Sequence, residues 1–148
     1  MPDRSDTITE VSMPSNPNYL GRLRRIIGCL ADCAGMDAKE VHDAKLALTE
    51  ACANAIRHGS PRGEHDRVTV RFSSALGTVV AEVSDHGEGF DPAALTARHS
   101  SELGGLGIPL MEALTDEVEF LRNGGGMTVR LVKRAKSPLR RLPSTSTR

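Results

Sequence analysis

Tryptophan is absent from the 148 residues, tyrosine occurs once and phenylalanine three times, so the core has to be assembled from Leu, Val, Ile and Ala. No apolar run approaches the roughly 20 residues that span a bilayer. The first residues also lack the charged, apolar and small-residue succession of a signal peptide. A cytoplasmic protein with no membrane partner is therefore expected. The three cysteines, Cys29, Cys33 and Cys52, do not stand at zinc-ligand spacing. Cys29 and Cys33 are four apart in an expected helix, which leaves a redox pair open. The reading adopted is the commoner one for free cysteine in a reducing compartment, a small buried hydrophobe. No internal repeat is present.

Net charge is missing too: 19 Lys and Arg balance 19 Asp and Glu. The balance conceals an asymmetry, because residues 133–148 hold six of the basic residues and no acid. Taking those six away leaves 13 basic against 19 acidic residues, a body of charge −6. An acidic body argues against direct nucleic-acid binding. The Ser/Thr/Pro/Arg-rich segment 134–148 reads as a basic disordered tail, and residues 1–6 as a flexible N-terminus. Between them, 7–133 is expected to form one domain, long enough to bury a real core. Charged residues at 26% and hydrophobic residues at 39% are those of a soluble globular protein.

Along the chain, Ile8 to Met13 alternates weakly and suggests an edge strand, ended by Pro14-Ser-Asn-Pro17. Asn18 is placed to cap a helix from about Tyr19 to Ala34, with Leu20, Leu23, Ile27 and Leu30 inward and Gly35 as its stop. Asp37 can cap the next helix, Ala38 to His58. Val68 to Phe72 and Thr78 to Ser84 alternate with period two and read as strands joined at Leu76-Gly77. Asp91 to Leu103 has little core potential and reads as a connector. Ile108 to Leu114 is a short helix with Pro109 in its first turn. Val118 to Leu121 and Met127 to Val132 are strands joined through Asn123-Gly-Gly-Gly126. This order predicts an α+β sandwich, with helices on one face of a mainly antiparallel sheet.

Three segments carry chemistry. On the second helix Glu50 and Asn54, four residues apart, share a face; His58 stacks one turn further, and Gly59 suits a helix stop. A carboxylate and a carboxamide so held can share a metal ion or a reacting proton, or be ordinary polar residues on a solvated face. Asp85-His-Gly-Glu-Gly-Phe90 sets an acid at a strand end. A carboxylate only accepts hydrogen bonds, which suits an exocyclic amine such as that of adenine. Gly87 and Gly89 let the backbone pass close to a flat ligand. Asp-x-Gly-x-Gly also occurs in turns and calcium loops, but His86 and Phe90 do not supply the alternating carboxylates of the latter. Finally, Leu103-Gly-Gly-Leu-Gly107 precedes a helix, where exposed N–H groups suit phosphates. Neither a Walker loop nor a Rossmann fingerprint is present; the remaining alternative is a flexible turn.

The three segments in this order resemble the GHKL nucleotide-binding fold over about Ile8 to Lys133, and within it the small anti-sigma factor serine kinases of the SpoIIAB/RsbW type. The residues that match are Glu50, Asn54, His58 and Gly59; Asp85, Gly87, Gly89 and Phe90; Gly105-Leu106-Gly107; Asp116-Glu-Val118; and Gly126 to Arg130. The length leaves no room for the helix pair of a histidine kinase or the further domains of gyrase-, Hsp90- and MutL-type ATPases, so a free-standing ATP-binding module is expected. The resemblance implies a two-layer sandwich that binds ATP and Mg²⁺. It implies that Asn54 holds the metal, Glu50 acts as general base toward a serine on a partner, and Asp85 binds the adenine amine. Gly87 and Gly89 would shape the base pocket, and Gly105 and Gly107 would close over the phosphates. His58, Gly59, Phe90, Gly104 and Leu106 complete the implied nucleotide-binding set. Gly104 stands where many relatives carry a basic or hydroxyl residue, which implies a looser lid. Arg22 falls where the family carries an arginine used in partner contact. The implied partners are a STAS-domain anti-anti-sigma protein, a sigma factor and a second copy of the chain. The alternative is a partner-switching protein without kinase chemistry.

Overall fold

Among the described residues, five antiparallel strands form one sheet, in which the fifth in sequence lies between the third and the fourth, and three α-helices cover one of its faces. The structure, a computed structural model, describes residues 7–86 and 107–137. The expectations for 1–6, the connector 91–103 and the tail from 138 onward lie outside those residues. The strands are β1 (Thr7–Pro14), β2 (Arg67–Ala75), β3 (Thr78–Asp85), β4 (Glu117–Asn123) and β5 (Gly126–Arg134). The helices are α1 (Leu20–Cys33), α2 (Ala38–His58) and α3 (Gly107–Leu114). Every expected element is present, and every strand pairing among the described residues is antiparallel.

Period-two alternation decides which face of the sheet is covered. Val11, Val70, Val83, Val129 and Phe120 stand abreast across the five strands and face the helices. On the opposite face Glu10, Arg71, Glu82, Arg130 and Glu119 form a row of alternating sign. Arg130 reaches Glu82 at 3.5 Å and Glu119 at 3.3 Å. Pairs this exposed contribute little each, about 0–1 kcal/mol, but the alternation disfavours any register that would set like charges opposite.

Helix α1 buries Leu20, Leu23, Ile27 and Ala31. Leu30, expected inside, is only partly buried, and Ala31 takes the inward position. The expected cap at Asn18 is corrected. Asn16 receives the Asn18 amide and opens a short 3₁₀ turn, Pro17–Tyr19, from which α1 continues. Pro17 at the first position explains the shift, since it cannot donate and its fixed φ pre-forms the turn. Gly35 ends the helix as expected, with φ 90. Its amide meets the Asp32 carbonyl and the Met36 amide that of Ala31, and both Met36 and Ala31 are fully buried. This is the Schellman arrangement.

Helix α2 starts with a reciprocal cap. Asp37 Oδ1 accepts from the Glu40 amide at 2.8 Å, and Glu40 Oε1 from the Asp37 amide at 2.9 Å. The other oxygen, Glu40 Oε2, accepts the Lys136 amide at 2.8 Å. Ordered chain therefore continues beyond residue 133, with Arg134 in β5 and the Ala135 amide bonded to Gly77.

Cys52 is fully buried in the core, but Cys29 and Cys33 are exposed on α1. The buried-hydrophobe reading holds for Cys52 and is corrected for the other two, which lie off the Leu23–Ile27–Ala31 stripe.

Candidate functional site

One helix serves the core and the site at once. On α2 the stripe of Ala44, Ala47, Leu48, Ala51, Cys52 and Ala55 is buried. Glu50 and Asn54 lie on a neighbouring stripe, turned toward the start of α3. The Gly107 position makes this concrete: a β-carbon there would stand 3.2 Å from Glu50 Oε1 and 3.5 Å from Asn54 Nδ2. Glycine thus lets the first turn of α3 sit against both side chains. Among the described residues Glu50 has no hydrogen-bond or ion-pair partner. Asn54 is 3% exposed, and its Nδ2 has no hydrogen-bond partner among the described residues. Leaving such a group unsatisfied costs about 1–3 kcal/mol, so a buried carboxamide here fits a site completed by something other than the chain. His58, one turn further along α2, is half-buried.

The Asp85 carboxylate is held at the end of β3, 3% exposed, between two glycines. A β-carbon at Gly59 would lie 2.7 Å from Asp85 Cβ and overlap the carboxylate itself. At Gly126 it would overlap the Asp85 carbonyl oxygen and stand 3.0 Å from Oδ1. The Met127 amide donates to Asp85 Oδ1 at 3.3 Å. The local sequence reads Gly59 as a helix stop, and the resemblance adds it to the nucleotide-binding residues. Its φ of −109 is not left-handed, so the need for glycine comes from the close approach of Asp85. Gly126 entered only as part of a matching strand. Its local signal, a run of three glycines, is that of a turn, and nothing nearby in sequence points to Asp85.

The loop after α2 is fixed by polar contacts that pattern reading missed. Buried Asp66 accepts from the Arg62 amide and from Arg62 Nε, both at 2.8 Å. The Arg62 amide bond, then the Arg62 guanidinium and the nearby His86, hold its carboxyl below the usual carboxylate range despite burial. Ser15 Oγ donates to Ser60 Oγ at 2.6 Å, and Ser60 Oγ to the Ala55 carbonyl at 2.9 Å. This ties the end of β1 to the last turn of α2 and so fixes where Gly59 meets Asp85.

Of the residues expected at the site, the structure brings Glu50, Asn54 and Gly107 together, and separately Gly59 with Asp85; His58 shares the helix that links the two groups. About 7 Å of helix rise separates Asn54 from Gly59. Gly87, Gly89, Phe90, Gly104, Gly105 and Leu106 lie outside the described residues. Among the described residues no three His, Cys, Asp or Glu side chains cluster to cage a metal, and no helix is long and apolar enough to cross a membrane.

A helix bearing a carboxylate and a carboxamide, laid on an antiparallel sheet whose third strand ends in a gripped aspartate, defines a two-layer α+β domain of the GHKL class. The chain belongs to the Histidine kinase-like ATPase domain family, which matches residues 13–133. It is 33% identical over 143 residues to the Serine-protein kinase RsbW of Bacillus subtilis, covering 90% of this chain and 88% of that protein. It is 34% identical over 138 residues to the protein of the same name from Bacillus pumilus, covering 85% of each. Among solved structures, the RsbU and RsbW domains of Rv1364c from Mycobacterium tuberculosis share the fold. The TM-score there is 0.63 at 22% identity, over 86% of this chain and 32% of that longer one.

Proposed function

We propose that this chain is an ATP-dependent serine-protein kinase that phosphorylates a STAS-type anti-anti-sigma protein and, when that partner is absent or already phosphorylated, sequesters a sigma factor. The observation that carries the reading is the buried Asn54 carboxamide with its unpartnered Nδ2, set beside Glu50 against Gly107. The names of the relatives support the same reading.

The residues present fit a nucleotide and its metal. Asn54 would hold Mg²⁺ by its amide oxygen. Bound Mg²⁺ neutralises phosphate charge and orients the terminal phosphoryl group. Asp85, an acceptor fixed by the Met127 amide, would take the adenine amine. Glu50 would accept the proton from the partner serine as its oxygen bonds to the γ-phosphorus and ADP leaves. The glycines 87, 89, 104, 105 and 107, with Phe90 and Leu106, would shape the base pocket and close over the phosphates, beside His58 and Gly59. The working form would be a cytoplasmic homodimer.

Incubation with Mg-ATP and a STAS protein carrying an acceptor serine tests the proposal. Phosphoserine should form with the intact chain and drop by two or more orders of magnitude with Glu50→Gln, while ATP still binds. If Glu50→Gln regulates the sigma factor as well as the parent, the protein is a switch without kinase chemistry.

A further inference from the structure

Away from the nucleotide residues, α1 and α2 enclose a cleft of about 300 Å³ lined by Arg24 from the first helix and His42, Lys45, Leu46 and Thr49 from the second. Its shape depends on Gly28. A β-carbon there would stand 2.6 Å from Lys45 Cε, so the bare backbone provides a notch for the lysine stem. The ammonium lies there too, with Nζ 3.3 Å from that β-carbon position, and the lysine lines the cleft. None of Arg24, His42 and Lys45 has an ion-pair or hydrogen-bond partner for its side chain among the described residues. Two acids near His42 and Lys45 in sequence are engaged elsewhere, Asp43 with Lys39 at 2.7 Å and Glu40 with the Asp37 and Lys136 amides, while Glu50 faces Gly107. Thr49 donates its hydroxyl to the Lys45 carbonyl, leaving Leu46 as an apolar wall.

This concentration runs against the rest of the molecule. The body carries 13 basic and 19 acidic residues, yet Arg22, Arg24 and Arg25 all stand on α1, whose one acid is Asp32. Cations from two helices, converging on a concave space with an apolar wall, match a carboxylate on a short apolar stem better than a free ion. A guanidinium and an ammonium supply the charge, and Leu46 takes the methylenes.

We propose that the α1–α2 cleft receives a glutamate- or aspartate-bearing segment of the partner protein, and so is the place where an acidic partner is docked. The inference rests on the kinase reading for the existence of that partner, but it can fail independently. The probe is hexaglutamate, titrated into the full chain and followed by backbone amide shifts. Shifts should cluster around residues 24, 28, 42, 45 and 46, weaken with salt, and require at least ten-fold more peptide in the Arg24→Gln/Lys45→Gln double variant. Arg24→Lys/Lys45→Arg, which keeps both charges, should retain binding. Gly28→Ala, which pushes the Lys45 stem out of its notch, should weaken it. Inorganic phosphate competing as well as hexaglutamate would show a generic anion site and overturn the proposal. So would shifts centred on Arg22 and Arg25, or a double variant that binds like the parent. ATP binding is measured on the same variants and should be unchanged; phosphoserine formation with a STAS protein tests the kinase reading separately.

Discussion

At the scale of single residues, the two glycines around Asp85 carry the sharpest consequence. Gly59→Ala would drive a methyl group into the Asp85 carboxylate, and Gly126→Ala into its carbonyl oxygen. A side chain can rotate aside; a strand carbonyl in a sheet cannot. Overpacking of this kind costs about 1–3 kcal/mol, so Gly59→Ala should fall in that range and Gly126→Ala at or above its top, read from urea unfolding. Gly59→Ala should also weaken ATP binding, because Asp85 is displaced. The position of Gly59 was legible in the sequence but its reason was not, since Asp85 lies in a different element and only the fold brings them together. The cysteines give a second test. Burial pushes the Cys52 thiol up to about 12, whereas Cys29 and Cys33 are exposed. A thiol reagent at pH 8 should therefore modify two cysteines in the folded protein and the third only after unfolding.

At the scale of elements, and apart from the cap placed at Asn18 rather than Asn16, local chemistry was read best where the partners sit within four residues of each other. The Asp37 cap, the Gly35 stop and the period-two strands are all of this kind. Asp37→Ala should cost about 1 kcal/mol, since it removes one half of the reciprocal cap and leaves the Glu40 amide without its acceptor. What could not be read is where an element touches another chain segment, as when Glu40 accepts the Lys136 amide. The Arg62–Asp66 loop is an intermediate case, local in spacing but without periodicity to reveal it. Because the folded pKa of Asp66 lies below its unfolded value, the stabilisation it provides is present above the usual carboxylate range and is lost as pH falls through the folded value. Asp66→Asn should accordingly lower the melting temperature at pH 7, and the gap to the parent protein should close as the solution is acidified below pH 4.

At the scale of the whole molecule, core and site share α2, and the two faces of that helix pull in opposite directions. Leu48 is fully buried in the core, while Asn54 is buried with its amide nitrogen unpartnered among the described residues. Leu48→Ala removes packing and leaves a cavity, a loss of about 2–5 kcal/mol from the 5–15 kcal/mol that typically holds a domain together. Asn54→Ala removes a group whose burial is unfavourable in the free protein, which offsets much of the small cavity it creates. Ligand binding should reverse the ranking. A ligand stabilises the folded state in proportion to the logarithm of its concentration over its dissociation constant, so Mg-ATP should raise the melting temperature of Leu48→Ala by about as much as that of the parent. Asn54→Ala should melt close to the parent without nucleotide and gain almost nothing from Mg-ATP. Thermal melts of the three proteins, each with and without Mg-ATP, separate the two faces. A full ligand-induced shift in Asn54→Ala would mean that its buried amide is only a packing residue and that the nucleotide, if it binds, is held elsewhere.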